Sequence, residues 1–247
     1  MLEYFGIICK TGLTSRYRGA GRPYREDTMK ILLTGFEPFG SHRSNPSWDA
    51  AAALPETVGG VQIVKLKLPV SFRRFSALLE AAIERERPEG LICVGLAGGE
   101  DKVSIERVGI NLMEARIPDN DGFQPFDMPV RPDGDTAYFS TFPVKRMAKA
   151  VERRGIASCV SYSAGTFVCN AVLYTGLYLA SSRYPSMKCC FIHVPYDETM
   201  EEALAGKPFM KREMLTEALS AVLEEAAEDL REKGKHGDLH EAVGTIF

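Results

Sequence analysis

The stretch Met29-Lys-Ile-Leu-Leu-Thr-Gly-Phe-Glu-Pro-Phe-Gly40 places a short apolar run directly before a loop of glycine and proline. Such a run, bounded by turn residues, is typical of a buried strand. The other β-rich runs lie at 61–68, 91–95, 157–162 and 189–194, and helical patterns lie between and after them at 47–54, 72–86, 144–154, 167–182 and 209–232. This alternation predicts one three-layer α/β/α domain, in which helices cover a mostly parallel twisted sheet and polar residues after the strands gather along one edge.

Residues 1–28 differ from the rest of the chain. They show no periodicity and carry several arginines among glycines, whereas a clear strand pattern begins after Met29. The early apolar run lacks the basic residues that precede the core of a secretory signal. We therefore expect 1–28 to be a disordered or non-native extension and 29–247 to form the folded domain.

Composition argues against two classes of partner. A net charge of −3 leaves no general excess of basic residues for a phosphate backbone, so no nucleic acid is expected. The longest mostly apolar run, 168–180, is shorter than the ~20 residues that span a bilayer, so no membrane partner is expected. At 45% hydrophobic residues, the chain is suited to an ordinary globular core.

The six cysteines are irregularly spaced, which does not suggest a disulfide framework. A reduced, cytoplasmic compartment is expected instead. Cys189 and Cys190 are adjacent on a predicted strand and should point to opposite faces, which makes them poor partners for a metal. No C-x-x-C or H-E-x-x-H motif occurs, and the glycines of 95–99 match neither the dinucleotide nor the phosphate-loop pattern. We expect no metal and no cofactor.

Cys169 lies in what reads as the first turn of a helix, within Ser163-Ala-Gly-Thr-Phe-Val-Cys-Asn-Ala-Val-Leu-Tyr174. It is either a buried core residue, as most free cysteines are, or a thiolate favoured by the positive end of the helix. His193 ends a buried-type strand and is either a satisfied core histidine or a catalytic one. Glu106 lies between apolar neighbours and forms either a surface ion pair or a buried contact that needs a partner.

Two loops carry further candidates. Phe36 and Phe39 lie close together after the first strand and either fill the core or line a small apolar pocket. Arg116, in an irregular loop with proline and Asn-Asp-Gly, either braces that loop or donates hydrogen bonds to a substrate.

Four motifs then make the chain recognisable. They are Gly-Phe-Glu-Pro-Phe-Gly with Asn-Pro-Ser, Ile-Glu-Arg-Val with Arg-Ile-Pro-Asp-Asn, Ser-Ala-Gly-Thr-Phe-Val-Cys-Asn, and Phe-Ile-His-Val-Pro-Tyr. In this order, over Met29 to about Glu198, they resemble the pyroglutamyl peptidase I family. The resemblance implies a cytoplasmic cysteine peptidase that removes N-terminal pyroglutamate from peptides, with 29–247 as its catalytic domain. It also implies self-association, commonly as a homotetramer.

The resemblance assigns the nucleophile to Cys169, the histidine to His193 and the acid to Glu106. A histidine can pair with the thiolate and protonate the leaving amine, while a carboxylate fixes the ring. The resemblance also implies a set of substrate-binding residues: Phe36, Phe39, Asn45, Leu96, Arg116, Ile117, Phe167 and Val168.

The chain departs from the family pattern at two positions. Leu96 stands where many bacterial members have glutamine, and Tyr162 where they have a polar residue. Leu96 cannot donate a hydrogen bond to the edge of a lactam ring. Two alternatives therefore remain open: a related amidase or peptidase with another N-terminal specificity, and a non-enzymatic protein that binds pyroglutamyl peptides.

Overall fold

The computed structural model describes residues 29–241 and 243. Its centre is a seven-stranded sheet in the order β2-β3-β1-β4-β9-β5-β8, beside a separate two-stranded ribbon, β6-β7. The strands are β1 (Lys30–Phe36), β2 (Thr57–Val58), β3 (Val61–Leu68), β4 (Gly90–Leu96), β5 (Val103–Glu106), β6 (Val108–Ile110), β7 (Ala137–Phe139), β8 (Ser158–Ser161) and β9 (Lys188–Val194).

Helices cover both faces of the sheet. They are α1 (Pro46–Ala53), α2 (Phe75–Glu86), α3 (Val144–Arg153), α4 (Val168–Ser182), the short α5 (Glu201–Leu204) and α6 (Arg212–Arg231). One apolar core joins the sheet to α1, α3 and α6, and a second joins its other face to α2 and α4. The predicted three-layer α/β/α architecture is confirmed.

Alternation along the strands sorts side chains between the two cores. Cys189 packs in the core shared with α2 and α4, and its neighbour Cys190 packs in the core shared with α1, α3 and α6, as expected for adjacent strand residues. Phe191 and His193 therefore project to the same face as Cys189, beneath α4.

Strand direction explains where the site forms. Strands β3, β1, β4 and β9 are parallel, which confirms a mostly parallel sheet. Strand β5 runs antiparallel to β9, and β8 runs parallel to β5. The expectation that all strand ends meet at one edge is therefore wrong for β8, whose carboxyl end lies at the opposite edge from those of β1, β4 and β9.

The predicted helices and longer strands are found with ends shifted by up to three residues. The sequence patterns did not predict the short elements β2, β5, β6, β7 and α5. For β5 a signal exists, since Val103 and Ile105 alternate with Ser104 and Glu106. Short strands give weak patterns, and their place in a sheet depends on distant partners.

The predicted extension, 1–28, lies outside the described residues and stays a prediction. None of the described helices has the length and apolar character needed to cross a membrane.

Candidate active site

Cys169 is the second residue of α4. Phe167 is the N-cap, and no side chain caps the helix by a hydrogen bond. Backbone N–H groups of the first turn lack partners within a helix and leave a partial positive charge there. Cys169 is half-buried, whereas the other cysteines of the described region, Cys93, Cys159, Cys189 and Cys190, are buried. Its position therefore favours the reactive thiol over the core residue.

Strand β4 leaves room for this thiol. A Cβ placed on Gly95 would lie 2.8 Å from the Sγ of Cys169 and 2.7 Å from Cζ of Phe191. Real Cβ atoms do not approach other atoms so closely, so a side chain at Gly95 would displace its neighbours. Gly95 is also the register partner of His193 on β9, which brings the thiol above the histidine.

The antiparallel pairing of β5 with β9 brings Glu106 to His193. Glu106 lies opposite Phe191, and Ser104 lies opposite His193, so Glu106 and His193 are diagonal neighbours on one face. Oε1 of Glu106 lies 2.8 Å from Nδ1 of His193. Glu106 is 1% and His193 8% exposed, so the pair is buried rather than an ion pair at the surface.

The thiol of Cys169 lies on the same face of the sheet as the His193 ring and interacts with it. Because Nδ1 faces Glu106, the other ring nitrogen is the one available to the thiol. Burial lowers the pKa of His193, but the hydrogen bonds and charges of Cys169 and Glu106 outweigh it and raise that pKa to about 10. The histidine is therefore stabilised as an imidazolium between two acidic groups.

Asn170, next to Cys169, fixes the start of the helix against the ribbon. Its Oδ1 accepts from the N–H of Ile110 at 3.0 Å, and its Nδ2 donates to the carbonyls of Ile110 and Leu112. Asn170 is fully buried, so these bonds are made away from solvent. The sequence motif around Cys169 indicated a role for the cysteine alone. The structural role of Asn170 becomes visible only from its hydrogen bonds.

The thiol opens onto a cavity of about 280 Å³, here called the ring cavity. Its lining residues are Phe36, Phe39, His42, Asn45, Val70, Leu96, Gly98, Phe167, Val168, Cys169 and Tyr196. The rings of Phe39 and Phe167 meet edge to face at 5.5 Å. Phe36 is 2% exposed and belongs to the core as well as to this wall, so both interpretations of that residue hold.

Four lining residues of the ring cavity were not predicted from sequence: His42, Val70, Gly98 and Tyr196. Val70 and Gly98 carry no chemical signal. Tyr196 belongs to the motif that contains His193, and His42 was assigned only to a polar loop. These residues meet at the cavity because four separate loops, after β1, β3, β4 and β9, converge there.

Asn45 lines the ring cavity but also caps α1. Its Oδ1 accepts from the backbone N–H and the hydroxyl of Ser47, and its Nδ2 donates to the carbonyl of Glu37. Most of its polar capacity is therefore used within the protein.

Arg116 and Ile117 do not line the ring cavity. They line an adjoining cavity of about 720 Å³, here called the outer cavity, together with Phe39 and Phe167. Arg116 is exposed, and Ile117 is 53% exposed. The two cavities share the Phe39 and Phe167 rings, so the structure divides the predicted binding residues between two adjacent spaces.

Asn120 fastens the loop after β6 to the loop after β1. Its N–H donates to the Val70 carbonyl at 3.0 Å, and its Oδ1 accepts from the N–H of Gly40. Its Nδ2 donates to the Pro38 carbonyl at 2.9 Å and to Oε1 of Glu37 at 3.1 Å. These bonds join the loop after β1, which borders both cavities, to the loop after β6, which borders the outer cavity.

Leu96 and Tyr162 are far apart. Leu96 ends β4 and lines the ring cavity, whereas Tyr162 follows β8 and is exposed. Strands β9 and β5 lie between them, which corresponds to roughly 14 Å at ~4.8 Å per strand. Of the two departures from the family pattern, only Leu96 lies at the site.

Within the described residues, no group of three or more His, Cys, Asp or Glu side chains is placed to hold a metal ion.

Comparison with known proteins places the chain among characterised relatives. The family model described as pyroglutamyl peptidase matches residues 29–229. The pyrrolidone-carboxylate peptidase of Streptococcus pneumoniae is 46% identical over 180 residues, which is 73% of this chain and 83% of that protein. The pyrrolidone-carboxylate peptidase of Thermococcus kodakarensis is 42% identical over 207 residues, covering 83% of this chain and all of the relative.

Solved structures show the same fold. The crystal structure of pyroglutamyl peptidase I from Bacillus amyloliquefaciens superposes with a TM-score of 0.81 at 38% identity, covering 87% of this chain and 100% of the other. A mutant pyrrolidone carboxyl peptidase from Pyrococcus furiosus gives a TM-score of 0.78 at 40% identity over 82% of this chain. With a thiol at a helix start, a paired histidine and this degree of similarity, the chain belongs to the pyroglutamyl peptidase I family of cysteine peptidases.

Proposed function

We propose that the chain removes N-terminal pyroglutamate from peptides, with Cys169 as nucleophile, His193 as acid and base, and Glu106 as the carboxylate that positions the histidine. The observation that carries this proposal is the buried pair of His193 and Glu106, 2.8 Å apart, beside the half-buried thiol of Cys169 at the wall of an apolar cavity. Each member lies on a different element, α4, β9 and β5, so the sheet holds their spacing.

The chemistry follows from this arrangement. The Cys169 thiolate attacks the carbonyl carbon of pyroglutamate, and the C–N bond to the next residue breaks as the imidazolium of His193 gives its proton to the leaving amine. A thioester remains. Water then attacks the thioester, His193 accepts the water proton, and pyroglutamate leaves as the thiolate is restored.

Donors for the oxyanion are available at the start of α4. The backbone N–H of Cys169 lies in the first turn, where amides have no helical acceptor. Fixed amide dipoles of this kind stabilise the negative oxygen of a tetrahedral intermediate without reorganisation.

The ring cavity suits a blocked amino terminus. Among the described residues that line it, none is acidic, so a free ammonium group would be buried without a counter-charge. A pyroglutamyl ring is neutral, and its flat faces can contact the aromatic rings of Phe36, Phe39 and Phe167. Val168 and Leu96 add apolar surface at the same wall, and the cap residue Asn45 shapes its margin.

The outer cavity is in the right place for the remainder of the peptide. The outer cavity begins at the rings of Phe39 and Phe167, where the ring cavity ends. A peptide whose first residue fills the ring cavity would therefore place its following residues in the outer cavity. Arg116 can donate there to peptide carbonyls near the scissile bond, and Ile117 offers an apolar contact. Arg116 thus acts on the substrate rather than as a brace of its own loop.

Self-association, as a homotetramer, is part of the same proposal. Large apolar side chains lie at the surface, with Phe126 64% and Phe139 65% exposed, and exposed apolar groups of this size often mark subunit contacts. Light scattering on the purified protein measures the mass directly.

Hydrolysis of pyroglutamyl-7-amido-4-methylcoumarin by the purified chain tests the proposed activity. We expect turnover with this substrate and none with the alanyl and prolyl compounds. Cleavage of those compounds instead would support the alternative of another N-terminal specificity, to which Leu96 points. The variant Cys169→Ala should lose this turnover, and Cys159→Ala, which alters a buried cysteine of β8, is its matched control.

A further inference from the structure

The edge of a pyroglutamyl ring carries one N–H and one carbonyl oxygen, and both need partners when the ring is buried. A buried polar group without a hydrogen bond costs about 1–3 kcal/mol. Leu96 faces the ring cavity at the end of β4 and has no polar side-chain atom. Another group that lines the cavity must therefore form a hydrogen bond with the edge of the lactam ring.

Three polar side chains other than the thiol line the cavity: His42, Asn45 and Tyr196. Asn45 is largely used in capping α1. The Nε2 of His42 lies 2.6 Å from Oε1 of Glu202, which holds that ring against α5. Among the described residues, no protein partner meets the hydroxyl of Tyr196, so it is free to bind a ligand.

The position of Tyr196 is fixed from both sides. Its carbonyl accepts from the N–H of Met210 at 2.9 Å, and its backbone forms an isolated bridge with Phe209. Its ring lies against Gly98, where any Cβ would collide with the hydroxyl oxygen. The glycine makes space for the hydroxyl at the cavity wall, so the donor is held in place before a ligand arrives.

The hydroxyl keeps its proton at neutral pH. Burial, and then the negative charge of Glu202, raise the pKa of Tyr196 above its ordinary value of 10. It can therefore act as a hydrogen-bond donor throughout the range in which a cysteine peptidase works.

We propose that the Tyr196 hydroxyl donates a hydrogen bond to the lactam carbonyl of the pyroglutamyl ring and so determines specificity where Leu96 offers no donor. This inference rests on the proposed function, because it requires the ring to occupy the cavity beside Cys169. Tyr196 contacts the ring edge and not the reacting carbonyl, so it acts in recognition rather than in proton transfer.

The first test compares two substrates that differ only at the ring edge. Pyroglutamyl-7-amido-4-methylcoumarin carries the lactam ring. Cyclopentanecarbonyl-7-amido-4-methylcoumarin has a ring of the same size and the same scissile amide, but its ring has no N–H and no carbonyl. We expect Tyr196→Phe to lower kcat/KM about 5-fold or more for the lactam substrate and to leave the cyclopentane substrate unchanged. An equal fall for both substrates, or no fall for either, would overturn the proposal.

The second test does not depend on turnover. 2-Pyrrolidone, the lactam ring alone, should protect Cys169 from alkylation by iodoacetamide, and Tyr196→Phe should raise the half-protecting concentration by a factor similar to the loss in kcat/KM. Equal protection of wild type and variant overturns the role of Tyr196 alone. Failure of 2-pyrrolidone to protect wild type would instead contradict the proposed function.

Tyr178→Phe is the matched control. Its hydroxyl donates to Oδ2 of Asp133 at 2.7 Å on the outer side of α4, away from both cavities. The control removes a tyrosine hydroxyl and a hydrogen bond without touching the ring cavity, so both substrates and the protection assay should behave as in wild type.

Discussion

Gly95 and Cys169 approach so closely that a side chain on residue 95 would occupy the place of the thiol, with only 2.8 Å between a Cβ and Sγ. The glycine is in the middle of the sheet and has no positive φ, so its role here is to make space. The missing side chain at Gly95 therefore leaves the space that the Cys169 thiol occupies.

Gly95→Ala should therefore reduce activity more than stability. Overpacking a core typically costs ~1–3 kcal/mol, while displacement of Sγ from His193 should lower kcat by at least about 100-fold, given how steeply rates depend on geometry. Gly176→Ala is the matched control, since its Cβ would lie 2.8 Å from Cys189 Sγ in the same helix layer, remote from the site. Comparable losses of kcat in the two folded variants would contradict the spatial argument.

Glu106→Gln should shift the pH dependence of activity. Although burial lowers it, the pKa of His193 is raised to about 10 by Cys169 and Glu106, and loss of the carboxylate charge should lower it. Catalysis needs the imidazolium to protonate the leaving amine, so the alkaline limb of kcat/KM should move to lower pH. We expect kcat/KM at pH 8 to fall at least about 10-fold, in the range by which acid–base groups contribute.

The same pair should affect stability in a defined direction. A raised histidine pKa stabilises the fold fully below its ordinary value of 6.5, and that contribution is lost as the pH rises through about 10. The Tm difference between wild type and Glu106→Gln should therefore be larger at pH 6 than at pH 10. Glu225→Gln controls for the loss of a buried acid, because it removes a buried carboxylate on the opposite face of the sheet. This control should leave the alkaline limb of kcat/KM at its wild-type pH.

Alkylation should single out Cys169. Burial raises the pKa of Cys93 to about 12 and raises those of Cys189 and Cys190 well above the ordinary thiol value. Their thiols should be both unreactive and inaccessible, whereas Cys169 is half-buried at a cavity wall. Mass spectrometry after brief iodoacetamide treatment should show that Cys169 is modified faster than these buried cysteines, and that turnover is lost in parallel. The variant Cys169→Ala should lack turnover. Activity retained by fully modified protein would exclude the thiol mechanism.

Asn120→Ala should weaken substrate binding rather than chemistry. It removes the side-chain bonds that join the loop after β1, which borders both cavities, to the loop after β6, which borders the outer cavity. We expect KM to rise about 3- to 10-fold, corresponding to about 1 kcal/mol of lost ordering, with kcat nearly unchanged. Gln124→Ala removes one bond within the second loop, to the carbonyl of Ala115, and should have little effect. A fall in kcat alone would show that Asn120 acts on the catalytic residues instead.

Local sequence pattern was sufficient to predict the architecture and to single out Cys169 as the proposed nucleophile. Periodicity in the sequence predicts helices and long strands, because a repeat of 3.6 or two residues determines which side chains can be buried on one face. The start of α4 at Val168 could be predicted from the small residues before it, and that start alone places Cys169 among free amide groups. The family motifs, which are local as well, named His193 and Glu106.

Tertiary structure decided how these residues meet. The pairing of Glu106 with His193 depends on β5 entering the sheet antiparallel to β9, and no periodicity in four residues specifies that neighbour or its direction. The ring cavity is lined by His42, Leu96 and Tyr196 from separate segments of the chain, and Arg116 lines the adjoining outer cavity. Register between strands and the approach of loops are determined by the packing of the whole chain, so they become visible only when distant segments are assembled.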